Sequence, residues 1–391
     1  MKVLMINVCC GIRSTGRICT DLATALEEQG HEVRISYGRF EVPEQFQKYA
    51  VRIGTDFDVK LHGLKARLFD GMGFGSRKAT ERFIEWVKEY DPDVIHLHNI
   101  HGYYINIEVL FDYLRSCGKK IIWTLHDCWA FTGHTAYCDV IECKRWEKEC
   151  HDCPLRKEYP MSLLDNSKSN WNRKKNILTG INNLTVITPS NWLKSLVEKS
   201  FLMDYPAYVI HNGIDTTVFS PISSNFKYKN NIEDKIMLLG VATSWDENKG
   251  YSDFIKISQL LGNEYQVVLV GLTEVQKKEL PNNIIGITRT NSTSELVEIY
   301  SSADYMLNLS KTENYPTVNL ESICCGTPVI TYDAGGSKES IDNSNGVVIG
   351  KGDVNAVVVA IKSRITKINK EYKEFDKNYS ISSYLKLYNS L

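Results

Sequence analysis

Two glutamates eight positions apart, Glu313 and Glu321, have the type and spacing that point most directly to chemistry. The apolar run before them, residues 305–309, predicts a buried parallel strand. Pro316 suits the first position of a helix, because a missing N–H is harmless there. A strand, a loop and a helix start in this order would present free backbone N–H groups at one edge of a sheet. The stretch therefore predicts a phosphate site.

The two carboxylates would flank whatever is attached to that phosphate. Glu321 should fall about 6 Å further along the helix axis than Thr317, where its oxygens could accept hydrogen bonds from vicinal hydroxyls such as those of a ribose. Glu313, on the other side, could face a sugar. Two solvated acids near a helix start are the alternative interpretation. The residues between the two acids complete the predicted donor contacts: Asn314, Tyr315, Pro316, Thr317 and Val318.

The stretch from Glu313 to Glu321, followed by Cys325-Gly-Thr-Pro-Val-Ile, resembles the E-x7-E donor-site signature of the retaining GT-B glycosyltransferases of family four. The likeness is to bacterial enzymes that build capsular or exopolysaccharide, and it spans nearly the whole chain. It implies an α/β fold with two doubly wound, Rossmann-like domains facing an interdomain cleft. It also implies a hexosyltransferase that moves a sugar, with retention of configuration, from a UDP- or GDP-linked donor to a glycan acceptor such as a lipid-linked precursor.

Length and composition agree with a globular enzyme. The chain has 391 residues, enough for two domains, with 43% hydrophobic and 24% charged residues. Its net charge of −1 gives no general attraction to nucleic acid. No apolar run approaches the roughly 20 residues of a membrane span, and residues 1–8 are typical of a first strand rather than a signal peptide. We expect a cytoplasmic protein, with peripheral contact at the inner face of the membrane left open.

Alternating strands and helices predict a doubly wound sheet in each half of the chain. We expect an acceptor-side domain over residues 1–218 and a hinge, rich in Ser, Asn and Lys, over residues 219–234. A nucleotide-sugar-binding domain should cover residues 235–372, with a helix from Asp353 to about Lys367. The resemblance implies that a terminal helix within residues 373–391 crosses back toward the first domain.

Three residues of the first half enter the predicted site. A loop after the first strand should lead into a helix at about Arg17, and the resemblance implies that this loop faces the cleft. Gly16 is thus a donor-side candidate and Arg13 an acceptor-side one; a tight turn with a solvated Arg is the alternative. His126 follows the predicted strand 120–125 at its carboxyl end, where such folds bind ligands. In the family, a His at this position contacts the transferred sugar.

Two residues of the second half complete the set. Lys249 precedes a predicted helix over residues 251–261, so its ammonium can approach an anion. Relatives usually present an Arg several residues earlier, where this chain has Thr243 and Ser244, so Lys249 is expected to be the main cation. The resemblance also places the loop of Arg289 near the nucleobase. The expected catalytic residues are His126, Lys249 and Glu313.

Metal chemistry is expected only outside catalysis. Asp91-Pro-Asp93 has the spacing of a metal–nucleotide motif but is typical of a turn, and we expect transfer without a required cofactor. Four cysteines could instead bind a structural Zn²⁺ that orders a long loop. A reduced, metal-free cluster is the alternative, since Thr135 stands where relatives usually place their first cysteine. The candidate ligands are Cys138, Cys143, Cys150 and Cys153.

Residues 61–88 mix basic and apolar side chains and could form a membrane-surface patch. A solvated helical face is the alternative. Two rival functions also stay open. A nucleotide-sugar epimerase or hydrolase would turn over donor with no acceptor present. A non-catalytic, sugar-nucleotide-binding partner subunit would bind donor and transfer nothing.

Overall fold

A computed structural model describes residues 1–363, 368 and 371–390. The chain forms two compact units. The first unit comprises Met1–His211 with Ile381–Leu391, and the second comprises Asn212–Ser380. Each unit is built around its own parallel sheet.

The described strands of the first unit are β1 (Lys2–Asn7), β2 (Glu32–Tyr37), β3 (Ala50–Arg52), β4 (Val94–Leu97), β5 (Lys120–Thr124), β6 (Leu184–Thr188) and β7 (Ala207–Val209). They pair in parallel in the order β3-β2-β1-β4-β5-β6-β7. β4 and β6 are buried along their whole length, as expected of strands covered by helices on both faces. The described helices are α1 (Arg13–Glu28), α2 (Asp56–Phe69), α3 (Arg77–Tyr90), α4 (Ile107–Ser116), α5 (Ser167–Leu178) and α6 (Asn191–Val197).

The described strands of the second unit are β8 (Ile236–Val241), β9 (Tyr265–Val270), β10 (Ile284–Ile287), β11 (Tyr305–Asn308), β12 (Val329–Tyr332) and β13 (Gly346–Ile349). They pair in the order β10-β9-β8-β11-β12-β13. The described helices are α7 (Phe226–Lys229), α8 (Tyr251–Leu260), α9 (Glu274–Glu279), α10 (Thr293–Ser302), α11 (Thr317–Cys324), α12 (Val354–Lys362) and α13 (Lys377–Ser390). From Ile381 onward, α13 belongs to the first unit.

Both sheets have the doubly wound strand order, which confirms the predicted α/β fold class. The order reverses between β1 and β4 in the first unit and between β8 and β11 in the second. Loops leave such a point in opposite directions, and the carboxyl ends of the strands open a crevice there. The residues that follow these four strands are therefore the natural candidates for a ligand site.

Three predicted boundaries differ from the structure or fall outside its description. The division into units lies between His211 and Asn212, and the predicted hinge, residues 219–234, lies inside the second unit. Phe219, Phe226 and Ile232 are buried in the core of that unit, which explains why this polar stretch is ordered. α1 begins at Arg13 rather than near Arg17. The predicted end of α12 at Lys367 lies outside the described residues.

None of the described helices combines the length and the apolar character that a membrane crossing would need.

Candidate functional site

Lys249 and Glu313 meet at the switch point of the second sheet. Lys249 ends a short 3₁₀ helix after β8, and Glu313 lies in the loop after β11. The Lys249 ammonium forms an ion pair with the Glu313 carboxylate. Gly250 permits this approach: its φ is 74°, and an added Cβ would lie 2.5 Å from the carbonyl oxygen of Leu309. The two loops thus bring a cation and an anion together where a ligand is expected.

The start of α11 lies next in the chain. Pro316 occupies the N-cap position, one residue earlier than predicted, and its backbone is extended rather than helical. It makes no side-chain cap hydrogen bond, and the first turn of α11 contains no acidic residue. Asn314 and Tyr315, in the loop before the helix, are buried, while Thr317 and Val318 are partly exposed. The positive end of the helix is thus accessible and is not neutralised within its first turn.

Glu321 lies one turn further along α11 and is held by a residue that sequence reasoning missed. The Tyr300 hydroxyl, on α10, donates a hydrogen bond to Glu321 Oε2 at 2.9 Å. Burial raises the pKa of Tyr300 well above its usual value, so the hydroxyl keeps its proton and acts as a donor. The bond fixes the orientation of the carboxylate. A tyrosine in an otherwise ordinary amphipathic helix offers no sequence signal for this role.

A buried amide, Asn319, fixes α11 to the strand ends. Asn308 donates to Asn319 Oδ1 at 2.9 Å, and Asn319 Nδ2 lies 3.3 Å from Ser337 Oγ. Ser337 Oγ in turn lies 2.6 Å from Thr331 Oγ1. Because buried amides need partners, this network specifies one position for the helix. The sequence feature that could have indicated this network is an Asn on the apolar side of a short helix, between the two glutamates.

Arg289 lies in a different loop of the second unit. Arg289 is exposed in the loop after β10, the edge strand, and forms no ion pair among the residues described. Thr243 and Ser244, where relatives usually have an Arg, are exposed as well. The described residues of the second unit therefore bring together Lys249 and Glu313, while Arg289 remains a separate prediction.

In the first unit, His126 belongs to a stack of imidazoles at the carboxyl ends of β4 and β5. His126 Nε2 lies 3.1 Å from His98 Nδ1, and these two rings are stacked. The His98 ring is tilted against that of His96, with centroids 4.1 Å apart. His96 is bonded to the Tyr388 hydroxyl of α13 at 2.6 Å and to Thr124 Oγ1 at 2.8 Å. Burial lowers the pKa of His126 to about 4 and that of His96 to about 3, so both rings are neutral near pH 7.

A buried lysine supports the loop after β5. Lys174 Nζ donates to the carbonyl oxygens of Trp129 at 2.7 Å and Thr132 at 3.1 Å, and it lies 3.6 Å from the centroid of the Trp129 ring. Burial lowers the pKa of Lys174 to about 7. In the same loop Asp127 accepts from His101 Nε2 at 2.8 Å. Sequence reasoning missed these residues, since each is an isolated polar residue in its own segment.

Arg13 and Gly16 open α1 but differ in exposure. The Arg13 guanidinium is exposed and lies 4.2 Å from the centroid of the Phe40 ring. Gly16 is buried, and an added Cβ would lie 3.0 Å from Cys9 Sγ. Its carbonyl oxygen accepts from Gly11 N at 3.1 Å. Gly16 thus packs the loop against the helix, and Arg13 is the one of the two that can meet a solute through its side chain.

The four predicted zinc ligands line one small cavity of about 20 Å³. Residues 1–363, 368 and 371–390 nevertheless contain no group of three or more His, Cys, Asp or Glu placed to hold a metal ion. Burial raises the pKa of Cys150 to about 12 and that of Cys153 to about 11, which favours thiols in this arrangement. The zinc clip stays a prediction, and metal analysis of protein purified without chelator would test it.

The Asp91-Pro-Asp93 stretch, which has the spacing of a metal–nucleotide motif, lies at the amino end of the first sheet. There Asp93 accepts a hydrogen bond from the backbone N–H of Lys2.

Solved structures of similar fold identify the class. The chain is similar to sucrose-phosphate synthase from Thermosynechococcus elongatus, with 16% identity, a TM-score of 0.72 and coverage of 100% of this chain and 98% of that one. It is also similar to Alr3699/HepE of Anabaena in complex with UDP, with 14% identity, a TM-score of 0.69 and full coverage of both chains. The fold is that of the GT-B glycosyltransferases, as predicted.

Two family models cover most of the chain. Residues 15–218 match the model described as Glycosyltransferase Family 4, and residues 223–380 match Glycosyl transferases group 1. The chain belongs to glycosyltransferase family 4, which confirms the predicted enzyme class. It is also similar to WcaC of Escherichia coli (strain K12), a protein named for glycosyl transfer in colanic acid biosynthesis. The two are 22% identical over 386 residues, which cover 94% of this chain and 92% of WcaC.

Proposed function

We propose that this glycosyltransferase moves a sugar, with retention of configuration, from a UDP- or GDP-linked donor to a lipid-linked precursor of an exopolysaccharide. The observation that carries the proposal is the meeting of Lys249 and Glu313 at the switch point of the second sheet, beside the accessible start of α11. A diphosphate needs this combination of ammonium and backbone N–H groups. The exopolysaccharide pathway rests on the similarity to WcaC, and the similar structure of Alr3699/HepE is a complex with UDP.

Each side chain then has a defined task. Lys249 and the backbone N–H groups of Thr317 and Val318 stabilise the negative charge that develops on the departing diphosphate. Glu321, oriented by Tyr300, accepts hydrogen bonds from the ribose hydroxyls. When the diphosphate binds Lys249, the carboxylate of Glu313 exchanges its present ion pair for the donor sugar.

His126 is proposed to orient the transferred sugar, and this assignment rests on the family resemblance. Its neutral ring can form a hydrogen bond with a sugar hydroxyl, as donor or acceptor according to the tautomer. No enzyme nucleophile and no metal cofactor are proposed. The donor phosphate takes the acceptor proton on the same face of the sugar.

A thermal-shift panel of UDP- and GDP-sugars tests donor binding first. A true donor at 100 times its Kd should stabilise the protein by about 2.7 kcal/mol. Transfer is then measured with that donor on Lys249→Met and on Lys256→Met, an exposed lysine of α8 that is also ion-paired. Lys249→Met should lower kcat by about 10²–10³-fold, and Lys256→Met should leave it unchanged. Equal rates in both variants would refute the assignment, and turnover of donor without acceptor would favour an epimerase or hydrolase.

A further inference from the structure

His98 is buried immediately after β4, beside the switch point of the first sheet, and is 1% exposed. Its backbone is fixed from two sides. His98 N donates to the carbonyl oxygen of Ile6 at 2.9 Å, and Trp123 Nε1 donates to the carbonyl oxygen of His98 at 3.2 Å. The ring centroid lies 4.1 Å from that of His96 and 5.4 Å from that of His126. His98 is therefore held in place beside the residue that is proposed to orient the donor sugar.

The two ring nitrogens of His98 have unequal surroundings. Nδ1 lies 3.1 Å from His126 Nε2, within hydrogen-bond distance. Nε2 is buried and has no hydrogen-bond partner among residues 1–363, 368 and 371–390. The hydrogen bond that the His98 ring makes in this part of the chain is therefore the one it shares with His126.

The position of the hydrogen on one ring determines its position on the other. Burial lowers the pKa of His98 well below its usual value and that of His126 to about 4, so both rings are neutral near pH 7. A neutral imidazole has one N–H and one bare nitrogen. Their shared bond thus allows two arrangements. Either His98 donates from Nδ1 and His126 carries its hydrogen on Nδ1, or His126 donates from Nε2 and His98 carries its hydrogen on Nε2.

The unpartnered nitrogen of His98 distinguishes these two arrangements. In the second arrangement, His98 would bury an N–H group that has no acceptor. Proteins leave buried N–H groups without a partner more rarely than buried acceptors. In the first arrangement, Nε2 holds only a lone pair. His98 Nδ1 is therefore the donor, and the hydrogen of His126 lies on its Nδ1.

We propose that His98 is a positioning residue that fixes the tautomer of His126, so that His126 meets the donor sugar as a hydrogen-bond donor through Nδ1. The bond made by one ring nitrogen decides which form the other nitrogen takes. Because Nε2 is engaged by His98, a ring contact with the sugar goes through Nδ1, and His126 is partly exposed, as this contact requires. The sugar oxygen at this point must accept. The contact with the sugar rests on the proposed function, but the tautomer does not.

NMR spectra of the full chain with ¹⁵N-labelled histidine test the tautomers directly, because protonated and bare ring nitrogens have well-separated ¹⁵N shifts. The wild type should show a protonated Nδ1 and a bare Nε2 on both His126 and His98. His98→Asn should keep the His126 pattern, since the amide can donate from the place of Nδ1. His98→Phe keeps a ring but no donor, and it should lose the pattern.

Transfer kinetics supply a second measurement. His98→Phe should lower kcat/KM for the nucleotide-sugar about two- to tenfold, as expected for one hydrogen bond between neutral groups. His98→Asn should recover most of this loss. The matched control, Val94→Ala, truncates a fully buried side chain of the same strand. It should lower the thermal stability and keep both the kcat/KM and the His126 spectrum of the wild type.

Three results would overturn the inference. The first is a wild-type spectrum with the hydrogen of His126 on Nε2. The second is an unchanged His126 spectrum in His98→Phe, and the third is an equal loss of kcat/KM in His98→Phe and Val94→Ala. The predicted spectrum in a protein that no nucleotide-sugar stabilises would refute only the proposed function. Transfer by a protein whose His126 is protonated on Nε2 would refute only the role of His98.

Discussion

Replacing Glu321 by glutamine should weaken donor binding and leave the fold of the second unit intact. Glutamine keeps an acceptor oxygen for the Tyr300 hydroxyl, which donates to Glu321 Oε2 at 2.9 Å. Alanine would instead leave that buried hydroxyl unpaired, at about 1–3 kcal/mol in stability. The glutamine variant therefore removes only the negative charge that the ribose hydroxyls are proposed to contact.

The expected loss of donor affinity follows from the two ribose hydroxyls that Glu321 is proposed to bind. A hydrogen bond to a charged group is worth about 1.5–3 kcal/mol and one between neutral groups about 0.5–1.5. Losing on the order of 1 kcal/mol from each of the two hydrogen bonds raises the Kd roughly thirtyfold. A donor concentration that stabilises the wild type by about 2.7 kcal/mol should then stabilise Glu321→Gln by only about 0.9 kcal/mol.

Thermal unfolding with and without donor measures this difference, and transfer kinetics should show a raised KM with little change in kcat. The control is Glu274→Gln, which removes an exposed acid from α9 of the same unit. It should keep the full stabilisation. If Glu321→Gln kept it too, or lost kcat at an unchanged KM, the ribose assignment would be refuted.

Three further predictions concern the first unit. Tyr388→Phe leaves His96 Nδ1 without its buried partner and should lower the free energy of unfolding in urea by about 1–3 kcal/mol; the exposed Tyr208→Phe should change it by under about 0.5. Lys174 has its pKa lowered to about 7, so between pH 7 and 10 the unfolded state binds more protons. Wild type should therefore gain stability relative to Lys174→Met over that range, and a flat difference would contradict the burial argument. Since the pKa of His126 is lowered to about 4, His126→Asn should lower kcat without removing a titration between pH 5.5 and 8.

Contacts between residues close in the chain were the predictable part of the site. The strand, loop and helix around Glu313 lie within one short segment, so hydrophobic periodicity and the position of Pro316 indicate their order. The prediction erred by one residue at the helix start because Pro316 adopts the extended conformation of an N-cap. Local sequence does not distinguish these two positions of a proline.

Contacts between distant residues could not be predicted. Lys249 and Glu313 are 64 positions apart, and their ion pair depends on β8 and β11 being neighbours in the sheet. His96 and Tyr388 are 292 positions apart. Either residue alone is typical of an ordinary core position. Only their packing reveals the polar network beneath His126.

The sequence by itself determined the alternating strands and helices, the family and the two glutamates of the donor motif. It could do so because those features are periodic or contiguous along the chain. The tertiary structure alone decided which hydroxyl holds Glu321, which imidazole stacks on His126, and which apolar residues remain on the surface. The physical reason is that burial and pairing depend on what packs against each side chain, and the partner comes from another part of the chain.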